Sequence, residues 1–182
     1  MKRLLFCLLV SLWIFPFTAT LAADTNIAPS AVGIYDSRAV AYAYFWSAPC
    51  QKQRHEKVAA AQAARKAGDI AKLKEYDAAF TAAQAELHRM VFSTAPAIAA
   101  MEAIKDRIPE IQKQAGVRAL ISKWDQPSLK KFQGAVRLDV TDKLVREFIR
   151  PDEKQAKMIL SIEKSEPMSL EKCDELIRKG EI

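Results

Sequence analysis

Apolar residues recur with a seven-residue period through the middle of the chain, in two series that interleave at spacings of three and four. The series are Leu73, Phe80, Leu87, Thr94, Met101, Ile108 and Ala115, and Tyr76, Ala83, Met90, Ala97, Ile104 and Ile111. This spacing is typical of a coiled-coil seam and predicts a long helical segment. Pro96 and Pro109 are expected to kink or restart it. A plain amphipathic helix packed on its neighbour produces nearly the same pattern.

A second helical region precedes this segment. Residues 39–46 are apolar nearly all round, which predicts a buried helix, and Pro49 is expected to restart the helix after them. Gly68 and Asp69 form the predicted turn, because Gly commonly ends a helix and Asp commonly caps the next one. The pattern therefore predicts a helical hairpin over residues 38–115.

Three short segments have the composition of β-strands: residues 31–35, 117–124 and 135–140. The fold class predicted is mainly α with a small β body, formed by residues 31–149 and carrying the helical hairpin as a coiled-coil-like arm. Residues 150–182 are predicted to form a C-terminal helical extension.

The N-terminus has the order of a secretory signal peptide. A short basic region and an apolar run are followed by small residues, and cleavage after Ala22 or Ala23 fits equally well. We expect residues 1–23 to be removed on export and residues 24–30 to form a flexible leader, although an uncleaved anchor is an alternative. Because no second long apolar segment follows, we do not expect an integral membrane protein.

Positive charge is concentrated in one part of the predicted hairpin. Removal of residues 1–23 takes away two basic residues, so the formal net charge falls from +6 to +4. Residues 51–76 carry three acidic side chains and seven basic ones: Lys52, Arg54, Lys57, Arg65, Lys66, Lys72 and Lys74. An ordinary solvated helix face explains this excess as well as a binding surface does. Without interleaved aromatic residues, the charge does not indicate a nucleic-acid partner.

Sequence motifs of enzyme sites are missing. There is no nucleophile elbow, phosphate loop or dinucleotide fingerprint, and neither His55 nor His88 has a convincing second metal ligand one helical turn away. Asp36, Asp139 and Asp142 follow strands closely enough to meet and perform acid–base chemistry, but helix capping explains them more simply. We therefore expect neither an enzyme nor a metal or cofactor.

Two cysteines remain after the predicted cleavage, Cys50 and Cys173. In an oxidising compartment an even pair favours a disulfide, and two free thiols are the alternative. Leu170, Leu176 and Ile177 give the C-terminal tail an apolar side. If that side docks on the root of the hairpin, the two sulfur atoms are brought together.

Three segments carry a resemblance to a known family: residues 32–40 (VGIYDSRAV), 115–121 (AGVRALI) and 136–145 (VRLDVTDKLV). With the predicted order of strand, hairpin, two strands and helix, the chain resembles the Skp (OmpH-like) family of periplasmic chaperones over residues 31–149. The resemblance implies a periplasmic homotrimer. Its strands would form a shared body, and its basic arms would surround unfolded outer-membrane proteins.

On this reading, the seven basic residues of 51–76 are the client contacts. The chain departs from the family at Pro49, Pro96 and Pro109, which interrupt the arm, and residues 150–182 have no counterpart in the family core. It would then represent an exported branch that kept the architecture and changed the client. The alternative is a structural or adaptor protein of the cell envelope that uses the hairpin as a docking surface for one partner.

Overall fold

The computed structural model describes residues 31–182, so the predicted signal peptide (1–23) and leader (24–30) lie outside the described residues. The fold is mainly α with a small β body, as predicted. The elements are β1 Val32–Tyr35, α1 Ser37–Phe45, α2 Ala48–Ala67, α3 Ile70–Phe92, α4 Ile98–Ala103, a 3-10 turn Lys105–Arg107, α5 Ile108–Ala115, β2 Leu120–Ser122, α6 Gln126–Lys131, β3 Arg137–Asp139, α7 Thr141–Arg146, α8 Glu153–Lys164 and α9 Leu170–Lys179.

The three strands form one parallel sheet in the order β2-β1-β3. Each lies within a predicted strand segment and is shorter than it. Gly33 in the central strand has no room for a side chain, because an added Cβ would lie 2.9 Å from Leu120 Cδ2 and 3.0 Å from Val140 Cγ2. Glycine at this position allows β1 to lie close to the side chains that flank it.

Helices cover both faces of the sheet. On one face Tyr35, Val140 and Leu144 pack with residues of α1, α3, α4 and α5. On the other face Val32 and Ile121 pack against Leu129 of α6. A parallel sheet needs this double cover because its crossover connections place helices on its faces. Both faces of the sheet are therefore covered by helices of the same chain, and neither face needs a second chain to cover it.

The predicted hairpin of 38–115 is divided into an arm and a buried root. Helix α1 is a separate buried helix, and a break at Trp46 and Ser47 separates it from α2. The arm consists of α2 and α3 alone. Its turn is the predicted one: Gly68 ends α2 with φ of +70°, and Asp69 caps α3 by accepting a hydrogen bond from the Lys72 N–H at 3.1 Å.

The helical segment restarts near Pro96 and Pro109, as predicted, with new helices at Ile98 and Ile108. Helix α3 ends at Phe92, residues 93–97 are not helical, and a new helix begins at Ile98. Later members of the series, namely Met90, Ala97, Ile104 and Ile111, are buried in the core of the body. The apolar period thus identified core positions, but their partners are α1, α7 and the sheet, not α2.

Two further features surround the body. Helix α6, which lies between the second and third predicted strands and was not predicted, begins after Asp125, whose side chain accepts the Ser128 N–H at 3.1 Å. The C-terminal extension forms α8, which packs on α1, and α9, which packs on α3. No helix within residues 31–182 combines the length and apolarity needed to cross a membrane.

Candidate functional site

The carboxyl ends of the three parallel strands bring charged side chains together at one edge of the sheet. Asp36 follows β1, Lys123 follows β2, and Asp139 ends β3. Open α/β sheets bind their ligands at this edge, which makes the cluster a candidate site.

Asp36 and Arg38 form a buried ion pair at this edge, each with only 1% of its surface exposed. The Arg38 guanidinium donates to both carboxylate oxygens, from Nε to Oδ1 at 3.1 Å and from Nη2 to Oδ2 at 2.9 Å. Its remaining nitrogen, Nη1, donates to the Ser165 carbonyl oxygen at 3.0 Å. Every nitrogen of the guanidinium therefore has a partner, as a buried charge requires.

Two more donors reach Asp36 from the segment after β2. Lys123 Nζ lies 2.6 Å from Oδ2, and the Trp124 indole N–H donates to Oδ1 at 3.4 Å. The Trp124 ring also lies 5.0 Å from Arg38 Cζ and 4.8 Å from Lys123 Nζ, which places both cations near its π-face. Although burial opposes the charged form, hydrogen bonds from Arg38 and Lys123 hold the pKa of Asp36 below its ordinary value.

The C-terminal extension contributes a further carboxyl group, Glu163 near the end of α8. Burial raises the pKa of Glu163, and the neighbouring charges of Asp139 and Asp36 raise it further, while Lys123 acts in the opposite direction. The cluster therefore joins the ends of all three strands to the extension. The buried guanidinium of Arg38 has a partner for every nitrogen, which indicates a structural connection more than an open reaction centre.

The three aspartates considered for acid–base chemistry have separate partners. Asp36 caps α1 by accepting the Arg38 N–H at 2.9 Å, as the capping interpretation predicted. Asp139 accepts the Thr141 N–H at 2.8 Å, and Asp142 pairs with Arg146 on the exposed face of α7. Within residues 31–182, no three His, Cys, Asp or Glu side chains are grouped so that they could hold a metal ion.

All seven predicted basic site residues are exposed on the α2–α3 arm: Lys52, Arg54, Lys57, Arg65, Lys66, Lys72 and Lys74. Among the described residues, Lys72 alone of the seven forms an ion pair, with Asp69 at 3.4 Å. A helix turns by about 100° per residue, so Arg54 and Arg65 lie on one side of α2, and Lys52 and Lys66 lie on other sides of the helix. The arm is therefore positive on more than one side.

Both cysteines considered for a disulfide, Cys50 and Cys173, are free thiols in this structure. Cys173 is fully buried where α9 packs on the end of α3, next to a 2.7 Å ion pair between Arg89 and Asp174. Cys50 is half-buried near the start of α2 and interacts with Tyr44. Helix α9 of the tail therefore packs on α3, the second helix of the arm.

Sequence reasoning missed Arg38, Lys123 and Ser165 as members of the buried cluster. For Arg38 the sequence contained a signal, because an arginine at the start of an otherwise apolar, buried helix needs a charged partner. Ser165 had no such signal, since its contact spans 127 positions of the chain. Comparison of the chain with protein-family models, with curated proteins and with solved structures found no match.

Proposed function

We propose that this protein is a holdase-type chaperone of the cell envelope, which holds unfolded polypeptides against its basic arm after export. The observation that carries the proposal is the α2–α3 arm itself. It extends from a compact body and presents seven exposed cations, six of them without an ion-pair partner among residues 31–182. Its helices of 20 and 23 residues are about 30 Å and about 35 Å long.

Exposed cations suit loose binding. They attract acidic segments of a client without burying it, and the attraction is screened over about 10 Å at 0.1 M salt. Few large apolar side chains are exposed on the arm, namely Val58, Ile70 and Phe92. Client binding through this arm is therefore expected to be reversible and to weaken as salt is added.

Suppression of aggregation tests the proposal. The purified protein should keep several unrelated unfolded proteins from aggregating, and reversal of Lys66, Lys72 and Lys74 to Glu should abolish most of this effect. Replacing the same three residues by Arg should retain it, because the charge is unchanged. A matched control reverses Lys130, Lys131 and Lys154, which are exposed on α6 and α8 and have no ion-pair partner among residues 31–182. Equal activity in the two reversed variants would contradict a role for the arm.

A second candidate is an adaptor that docks its arm on one envelope partner. The double-covered sheet favours it, since a single chain provides one arm and one arm alone cannot enclose a client. The two candidates differ in promiscuity. A holdase acts on unrelated unfolded proteins, whereas an adaptor leaves their aggregation unchanged and binds one folded partner.

Enclosure of a client requires several arms. The homotrimer implied by the family resemblance is one arrangement that supplies them, and the solution mass of the purified protein tests it. A trimer mass together with aggregation suppression would support the chaperone proposal in its full form.

A further inference from the structure

Strand β3 forms an unusually open edge of the sheet. All three of its residues are exposed, and the apolar side chains of Val136 and Leu138 keep 45% and 39% of their surface accessible. The opposite edge strand, β2, has Ile121 and Ser122 buried. An exposed edge strand is a template for pairing with another strand, because its outer N–H and C=O groups are unpaired.

The hydrogen bonds to β1 identify those outer groups. Val32 N–H donates to the Val136 carbonyl at 2.8 Å, and Val140 N–H donates to the Ile34 carbonyl at 2.9 Å. Positions 136, 138 and 140 therefore direct their backbone groups toward β1. The N–H and C=O groups of Arg137 and Asp139 point away from the sheet and have no partner among the described residues.

We propose that a second copy of this chain pairs with β3 in antiparallel orientation, about a two-fold axis at Leu138. In this register Arg137 of each copy lies opposite Asp139 of the other, and the two residues exchange both backbone hydrogen bonds. Four such bonds join the copies into one six-stranded sheet. The two Leu138 residues face each other in the closely spaced position between the bonded pairs.

Charge selects this register from the alternatives. Only positions 137 and 139 offer outward backbone groups, so three antiparallel registers bond them: 137 with 137, 137 with 139, and 139 with 139. The first places two arginines opposite each other and the third places two aspartates opposite each other, and like charges in these positions are destabilising. Only the register that pairs 137 with 139 places opposite charges together, and the two-fold axis forms this Arg137–Asp139 pair twice.

The surroundings of Asp139 favour a cation from outside. Glu163 lies near it, and the pKa of Glu163 is raised by burial first and then by the charge of Asp139. Asp139 also has an exposed side chain, of which Oδ1 alone accepts the Thr141 N–H at 2.8 Å. Its second oxygen remains available to the guanidinium of Arg137 from the other copy.

Two charge-reversed variants and their mixture test the pairing. Arg137→Asp and Asp139→Arg each place like charges opposite each other at two points, so each is expected to raise the dimer dissociation constant at least about tenfold. A mixture of the two variants restores opposite charges at both points and should form a heterodimer. Lys154→Asp, an equal charge change on exposed α8, should leave the dimer intact.

Sedimentation equilibrium of the full chain over about 1 µM to about 1 mM covers the range of weak interfaces. Far-UV circular dichroism checks the fold, since Asp139→Arg loses the bond to Thr141. Arg137→Pro is a second variant that removes an outward N–H and keeps every bond to β1, as edge strands tolerate; it should be monomeric. A monomeric or trimeric wild type, or folded single variants that stay dimeric, would overturn the proposal. This inference does not rest on the chaperone proposal: a dimer mass excludes the homotrimer considered there, and aggregation suppression tests the holdase activity separately.

Discussion

The sheet edge of the body and the α2–α3 arm use charged residues in opposite ways. At the sheet edge, Asp36 and Arg38 are almost completely buried, and every nitrogen of the guanidinium donates a hydrogen bond. On the arm, seven basic residues are exposed and one of them has an ion-pair partner within residues 31–182. Both regions lie within a chain of modest positive charge.

The difference shows which charges hold the fold together. Removing one member of a buried pair leaves the other desolvated and unpaired, whereas an exposed cation keeps its water when a neighbour changes. Substitutions at the sheet edge should therefore act on stability, and substitutions on the arm should act on binding. Four predictions test this division.

The largest effect is expected at Arg38. Arg38→Met leaves the Asp36 carboxylate without its bidentate partner and releases Ser165, so the free energy of unfolding should fall by about 3–5 kcal/mol in urea titrations. Lys66→Met on the arm is the matched change and should stay within about 0.5 kcal/mol of the wild type. Similar losses in both variants would erase the distinction between the two regions.

Gly33→Ala should have the next largest effect. The new Cβ would lie 2.9 Å from Leu120 Cδ2 and 3.0 Å from Val140 Cγ2, and Val140 is buried and β-branched, so it cannot turn aside. We expect a loss of about 1–3 kcal/mol from overpacking. Combining Gly33→Ala with Val140→Ala should cost less than the sum of the two single changes, because the second change makes room for the first. Additive losses would indicate that the contact is not strained.

Asp69→Ala tests the stability of the arm alone. Loss of the cap on α3 should cost about 1 kcal/mol, because the Lys72 N–H loses its acceptor. Hydrogen exchange should accelerate around the 68–72 turn and remain unchanged in the sheet. Asp77→Ala, within the same helix and exposed, removes a charge without removing a cap and serves as the control. Faster exchange throughout the body would mean that arm and body unfold together.

The smallest effect is expected for Glu163→Gln, and it depends on pH. Because its folded-state pKa is raised, the carboxyl binds a proton more tightly in the folded chain, so it favours folding at low pH and opposes it as pH rises through that pKa. The variant should be more stable than the wild type at pH 7, by less than about 1 kcal/mol after solvent screening. The gain should vanish below about pH 4. Thermal melts across this range measure it, and a gain that is constant with pH would point to a packing effect.

Local signals were sufficient for much of the fold. Gly68 and Asp69 marked the turn of the arm because one allows a positive φ and the other caps a helix. The short helix α6 was missed because its six residues include Pro127 and resemble a turn in isolation.

The partners of the apolar and charged residues depend on tertiary packing. The apolar period through Ile104 and Ile111 identified buried positions. The same spacing fits either a coiled coil or helices packed in the core of a body, and the tertiary structure has the second arrangement. Likewise, the sequence around Cys173 does not indicate that this residue faces α3, because the contact exists only when α9 packs there.

The sequence by itself determined the turn at Gly68 and Asp69, many of the buried positions and the place of the basic charge, because these depend on neighbours along the chain. Only the tertiary structure decided that the strands are parallel and that Asp36 meets Lys123 and Trp124. Such contacts join residues almost ninety positions apart, and their energy depends on burial that exists only after folding. The open edge at β3 also depends on the tertiary structure, because the order of the strands in the sheet determines which strands lie at its edges.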